Sequence, residues 1–187
     1  MAFIVGNSSA QSLNGTESDD TIQGLAGNDR LFGLGGKDIV FGGSGNDLLS
    51  GGTGEDILFG GAGLDSASYA NATGAMVVNL GTRTSSGPDG VDTFRSIEGI
   101  YGSAFNDLLT GDTGDNFLNG LQGNDTLDGG AGHEIATYFE ATGSITANKV
   151  RGVRAALIHD EITARRAREH HHCNALCIGC ELLSEEQ

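Results

Sequence analysis

The sequence predicts an all-β solenoid, a rod of short stacked strands in place of a conventional packed core. Three observations predict it. Glycine supplies 32 of the 187 residues, against a usual share of roughly 7%. There is one proline and no tryptophan, and aromatics are 6%. Above all, glycine, aspartate and an apolar residue return together at fixed spacing. "GGSGNDLLSGGTGEDILF", from Gly42 to Phe59, is one nine-residue phrase spoken twice, and repetition at constant period is the signature of stacked architectures.

The elements follow in order. Residues 1–14 are a lead-in with a faded copy of the phrase: Gly6 opens it and Leu13 fills the apolar slot, but Gln11 replaces the acid. The first block, 15–68, starts its frames at Gly15, Gly24, Gly33, Gly42, Gly51 and Gly60. The fourth positions are Ser18, Gly27, Gly36, Gly45, Gly54 and Gly63, the sixth are Asp20, Asp29, Asp38, Asp47, Asp56 and Asp65, and the eighth are Ile22, Leu31, Val40, Leu49, Leu58 and Ala67. A less regular, strand-like spacer occupies 69–101 and hides one copy, "GPDGVDTFR" from Gly87, with Asp92 and Phe94 in the key slots. The second block, 102–137, places Asp107, Asn116, Asp125 and Glu134 in the acid slot and Leu109, Leu118, Leu127 and Ala136 in the apolar one. Residues 138–148 echo the spacer, because "GGAGLDSASYANATGAMVVNL" from Gly60 returns as "GGAGHEIATYFEATGSITANK" from Gly129. Residues 149–187 form a tail outside the pattern, helical or disordered.

One unit reads as six loop residues and three strand residues. The middle strand residue points inward and its neighbours outward, as alternation requires. Two units make one coil of eighteen residues with a strand on each side. Glycines allow backbone angles closed to other residues and let loops stack closely. A single coil buries little, so stability comes from its neighbours.

Aspartates eighteen residues apart then share an edge. Coils lie about 4.8 Å apart, where two carboxylates repel by roughly 3 kcal/mol at an effective dielectric near 20. Stacking several such pairs calls for a counter-charge. A hard cation with six to eight oxygen ligands fits, and calcium suits the gap better than magnesium; zinc would want Cys or His. The expected pairs are Asp20–Asp38, Asp38–Asp56, Asp29–Asp47, Asp47–Asp65 and Asp107–Asp125, with Asn116–Glu134 a weakened pair and Asp92 a further candidate. Backbone carbonyls of Gly27, Gly36, Gly43, Gly45, Gly52 and Gly54 would complete the ligand sets.

These residues resemble the repeats-in-toxin (RTX) nonapeptide of the hemolysin-type calcium-binding repeat family, glycine-glycine-x-glycine-x-aspartate-x-apolar-x, over roughly residues 6–148. The resemblance implies a right-handed parallel β-roll with several Ca²⁺ ions between loops. It also implies a secreted protein that folds on meeting extracellular calcium, exported by a type I system that reads an uncleaved C-terminal signal. In the family such rolls often accompany proteases, lipases, epimerases, toxins or adhesins.

The charge is −15, and residues 1–148 carry all of it, with 19 acids against 4 bases. Phosphates attract Lys and Arg, so nucleic acid is excluded as a partner. The opening "MAFIVGNSSAQ" lacks the basic n-region and apolar run of a signal peptide, and no stretch has the ~20 apolar residues of a membrane span. His133–Glu134 lacks a second histidine at Thr137, and no nucleophile stands with a base, so no catalysis is expected. In the tail, Ala156, Leu157, Ile158, Glu161, Ile162 and 164–167 suit a helix. His170, His171, His172, Cys173, Cys177 and Cys180 could hold zinc, although the tail reads more simply as a frameshift or fusion, which puts the export signal in question. Ile39, Phe41, Ile57 and Phe59 form an outward apolar patch, covered by the 76–80 spacer or by a second molecule. Three functions remain open: a calcium-binding roll without catalysis, an adhesive module gripping polysaccharide or protein, and a module detached from a secreted enzyme.

Overall fold

The computed structural model describes residues 1–137 and two further strands, 153–158 and 175–178. Among the described residues there are strands and no helix. The strands form two facing sheets, and the chain alternates between them at every loop through the first block.

The first sheet holds β1 (Phe3–Val5), β3 (Thr21–Ala26), β5 (Ile39–Ser44) and β7 (Ile57–Ala62) in parallel. The second holds β2 (Ser12–Asn14), β4 (Arg30–Gly35), β6 (Leu48–Thr53) and β8 (Ser66–Ser68), also parallel. Register advances by eighteen residues per coil: Ile4 pairs with Ile22, Ile22 with Val40, and Val40 with Leu58. The fold is therefore the parallel β-solenoid that the nine-residue period predicts.

The apolar slots fill the interior. Ile22, Leu31, Val40 and Leu49 are fully buried, and Leu109, Leu118 and Leu127 repeat this in the second block. Each contributes about 1.5–3 kcal/mol by leaving water. Leu13, in the faded copy, is only partly buried at the end of the stack.

The spacer keeps the stack while changing its path. β11 (Thr93–Arg95) lies on β7 with Phe94 over Leu58, and β12 (Gly99–Tyr101) lies on β8 with Ile100 over Ala67. The hidden copy at Gly87 is thus a true rung. The chain reaches it after an excursion through β9 (Val77–Asn79) and β10 (Thr84–Ser86), where β10 runs antiparallel to both β9 and β11. Met76, Val78 and Leu80 are buried there beside Ile97, Tyr69 and Ala72. β13 (Leu108–Thr110) and β15 (Thr126–Asp128) extend that sheet, and β14 (Phe117–Asn119) and β16 (Glu134–Thr137) extend the other.

Two expectations need correction. The 76–80 spacer does not cover the apolar patch, because β9 joins the same sheet beyond β11 and β10. Phe41 and Phe59 instead stack on each other, 4.8 Å apart and nearly coplanar at 6°. Ala156, Leu157 and Ile158 are not helical: they lie in β17 (Val153–Ile158), which pairs in parallel with β16 and with β18 (Ala175–Ile178). The last solenoid strand offers unpaired backbone groups, and pairing there outweighs a helical preference carried by a few alanines. Glu161, Ile162, residues 164–167, the three histidines, Cys173 and Cys180 lie outside the described residues, as does the 138–148 echo.

Candidate metal centre

Each strand delivers its aspartate to the same place. The acid precedes the strand by one residue and the inward apolar residue by two, so it too faces inward, at the corner where loop becomes strand. Asp20, Asp29, Asp38, Asp47, Asp56 and Asp65 are all buried, as are Asp92, Asp107, Asn116, Asp125 and Glu134.

One oxygen of each carboxylate ties neighbouring coils together. The N–H of Asp20 donates to Asp38 Oδ1 at 2.7 Å. Asp29 donates to Asp47, Asp38 to Asp56 and Asp47 to Asp65, each at 2.8 Å. Asp56 donates to Asp92 at 3.0 Å and Asp107 to Asp125 at 2.9 Å. The five expected aspartate pairs are thus neighbours, joined carboxylate to backbone.

The second oxygen divides the row. In Asp29, Asp38, Asp47, Asp56, Asp65 and Asp125 the buried Oδ2 meets no donor from the protein. In Asp20 it accepts from the Thr16 N–H and hydroxyl, each at 2.7 Å. In Asp107 it accepts from the Ser103 N–H at 2.5 Å. In Asp92 it accepts from the Tyr69 hydroxyl at 2.8 Å and the Ser85 hydroxyl at 2.9 Å. Asn116 Oδ1 accepts from the Asp112 N–H at 2.7 Å.

Burial acts on the bare carboxyls accordingly. It raises Asp38 and Asp65 to about 6 and Asp56 and Asp125 to about 7, with neighbouring carboxylates adding to the rise. Asp47 moves up for the same reason. Asp20 moves down, because Thr16 and the Ala2 N–H bond its charged form. A buried carboxylate oxygen without a donor is strongly disfavoured.

The remaining donors are backbone. A Cβ on Gly24 would come within 2.5 Å of both Asp29 Oδ2 and the Gly42 carbonyl oxygen, so the missing side chain leaves room where carboxylate and carbonyl converge. The carbonyls of Gly27, Gly36, Gly43, Gly45 and Gly54 each face the glycine of the next coil. No group of three or more His, Cys, Asp or Glu side chains able to hold a metal occurs among the described residues. A cation here must take carbonyl oxygens, and a carboxylate–carbonyl set is what hard calcium accepts. The residues present fit that ion.

Four RTX calcium-binding nonapeptide repeat matches cover residues 5–40, 14–49, 32–67 and 101–133, together just over half of the chain. The chain belongs to the RTX calcium-binding repeat family. Those repeats imply calcium binding. Residues 140–187 match a different family model, Ribose/Galactose Isomerase. Over 36 residues the RTX chain is 53% identical to a protein of Bacillus subtilis (strain 168) described as a sugar phosphate isomerase, YwlF. That stretch is 19% of this chain and 24% of YwlF, so the chain spans about a quarter of the curated relative it matches.

Sequence reasoning missed several participants. Glu98 takes the slot after Asp65, accepting its N–H at 3.0 Å, although no glycine frame announces it. Its signal is an acid two residues before the buried Ile100. An outer ladder also runs along the fifth positions: Asn28 Oδ1 accepts from Asn46 N–H at 2.9 Å, and Asn46 Oδ1 from Leu64 N–H at 3.0 Å. Recurrent Asp or Asn at that position was its visible trace.

Proposed function

We propose that this protein is a calcium-dependent folding module that acts outside the cell, without catalysis of its own. The observation that carries the reading is the row of buried carboxylates whose second oxygen has no donor. An unfolded chain keeps those groups hydrated; a folded chain without a cation does not. Ion binding at sites that exist only in the stack is folding free energy. Extracellular calcium modules commonly bind at roughly 10⁻⁴–10⁻³ M, and type I export suits a chain that folds after leaving the cell. The isomerase-like stretch covers about a quarter of YwlF, which favours a joined piece of foreign sequence over an isomerase. Among the described residues no helix is long and apolar enough to cross a membrane.

The test is circular dichroism during a calcium titration, with magnesium as control. Strand signal should rise cooperatively with calcium and stay absent with magnesium. Full strand signal in excess chelator overturns the reading.

An adhesive role is favoured by one observation, the stacked Phe41–Phe59 pair on the outer face. A glycan-binding screen with and without calcium tests it, and binding lost on Phe41→Ala would support it.

A further inference from the structure

The residue after the first glycine of each frame takes one of two conformations, and the choice matches the fate of the aspartate four residues on. Leu25 and Leu34 both have φ of 80°, Gly43 116°, Gly52 95°, Gly61 116° and Leu121 62°. Their aspartates are Asp29, Asp38, Asp47, Asp56, Asp65 and Asp125, whose Oδ2 atoms have no donor. Thr16, Ser103 and Asp112 do not have positive φ. Their N–H groups turn inward and donate to Asp20, Asp107 and Asn116. Pro88 has no N–H to give, and there Tyr69 and Ser85 close Asp92 instead.

Positive φ turns the N–H elsewhere: Leu25 pairs with Gly43 and Leu34 with Gly52 in the strand ladder, and the Leu121 N–H donates to Asn119 Oδ1 at 3.0 Å. The N–H then cannot serve its own aspartate. For leucine this backbone is disfavoured, yet Leu25, Leu34 and Leu121 hold it. Strain of this kind persists where something overrides it, most often at functional sites.

Resting on the calcium reading, we infer that this second position is a gate. Open frames make Asp29, Asp38, Asp47, Asp56, Asp65 and Asp125 the calcium ligands. Closed frames make Asp20, Asp92, Asp107 and Asn116 hydrogen-bonded struts that take no ion. Seryl or threonyl residues at the gate supply internally the donors for which the open frames need a cation.

The experiment counts calcium bound per chain by equilibrium dialysis at saturation, with circular dichroism reporting the fold. Asp38→Asn should bind fewer ions than the unaltered protein, and Asp107→Asn the same number. Leu34→Ser should close the Asp38 frame and lose an ion that Leu34→Gly retains. Equal counts in Asp107→Asn and Asp38→Asn overturn the gate while leaving the calcium reading intact. So do equal counts in Leu34→Ser and Leu34→Gly. Should Leu34→Ser fail to fold, the two asparagine variants decide. An unaltered protein that binds no calcium overturns both readings.

Discussion

The backbone N–H of Asp47 donates a 2.8 Å hydrogen bond to Asp65 Oδ1, while the Oδ1 of Asp47 itself accepts from Asp29 at 2.8 Å. Each interior aspartate is therefore a link in a chain running along the stack. Asp47→Ala should remove an acceptor from Asp29 and a bare oxygen from the metal row together. Asp20→Ala, at the closed end, removes only hydrogen bonds. The calcium midpoint for folding, followed by circular dichroism, should rise more for Asp47→Ala. Equal shifts would refute an unequal role for these two acids.

Acid should compete with calcium. The unfolded aspartates titrate near 3.8, while the folded, metal-free ones titrate at about 6 for Asp38 and Asp65 and about 7 for Asp56 and Asp125. Between those values the folded state holds protons that the unfolded chain has released. Their contribution to the metal-free fold is thus greatest below 3.8 and is lost as pH rises towards 7. Calcium needs the ionised form, which the unfolded chain already holds above about pH 5, so the calcium midpoint for folding should be higher at about pH 4 than at about pH 7.5 and nearly level between about pH 5.5 and about pH 7.5. A midpoint no higher at the acid end would count against bare carboxylates as ligands.

The interior should behave like any close-packed core despite its thinness. Leu49 is fully buried between Leu31 and its neighbours in the second sheet. Leu49→Ala in saturating calcium should destabilise by about 2–5 kcal/mol, read from urea unfolding. A change under about 0.5 kcal/mol, the scale of ordinary surface substitutions, would mean that the apolar slot is not a core position.

Gly54 has φ of 137° and sits against the Gly36 carbonyl of the previous coil. A methyl group there meets both a disfavoured backbone and a backbone atom that cannot step aside. Gly54→Ala should raise the calcium midpoint clearly, whereas Gly74→Ala, in the spacer outside the left-handed region and where a Cβ would meet only Pro88 side-chain carbons, the nearest at 3.1 Å, should change it little. The same titration compares the two.

Tyr69 is buried with its hydroxyl on Asp92, and burial, together with that carboxylate, pushes the phenol well above its ordinary range. Tyr69→Phe should destabilise by about 1–3 kcal/mol, since it strips a donor from a buried acceptor. Dialysis should find the calcium count unchanged.

The coil, the inward Ile22–Leu127 column and the buried acid row were legible because each depends on a strict period, and a period survives in sequence. What broke the period was harder to read. Glu98 follows Asp65 by 33 residues, where an undistorted insertion would give 36, because the rung at Asp92 is followed by a loop three residues shorter. No local motif marks that loss. The antiparallel β10 was hidden for a related reason, since Thr84–Ser86 is set by the strands on either side of it. Thr16 and Ser103 look like ordinary loop residues; their hydroxyls gain meaning only once Asp20 and Asp107 turn inward. The strand at Val153–Ile158 likewise owes its state to the exposed edge of β16.

Registers that advance by whole coils have one more outcome. Excising residues 33–50 would join Phe32 to Gly51 with every glycine, acid and apolar slot still in phase, because Phe32 and Ser50 occupy equivalent places. The product would be a shorter rod of unchanged cross-section. Length is therefore uncoupled from local chemistry in this molecule, and genes of its kind can lengthen or contract by duplication and deletion without passing through a misfolded ancestor.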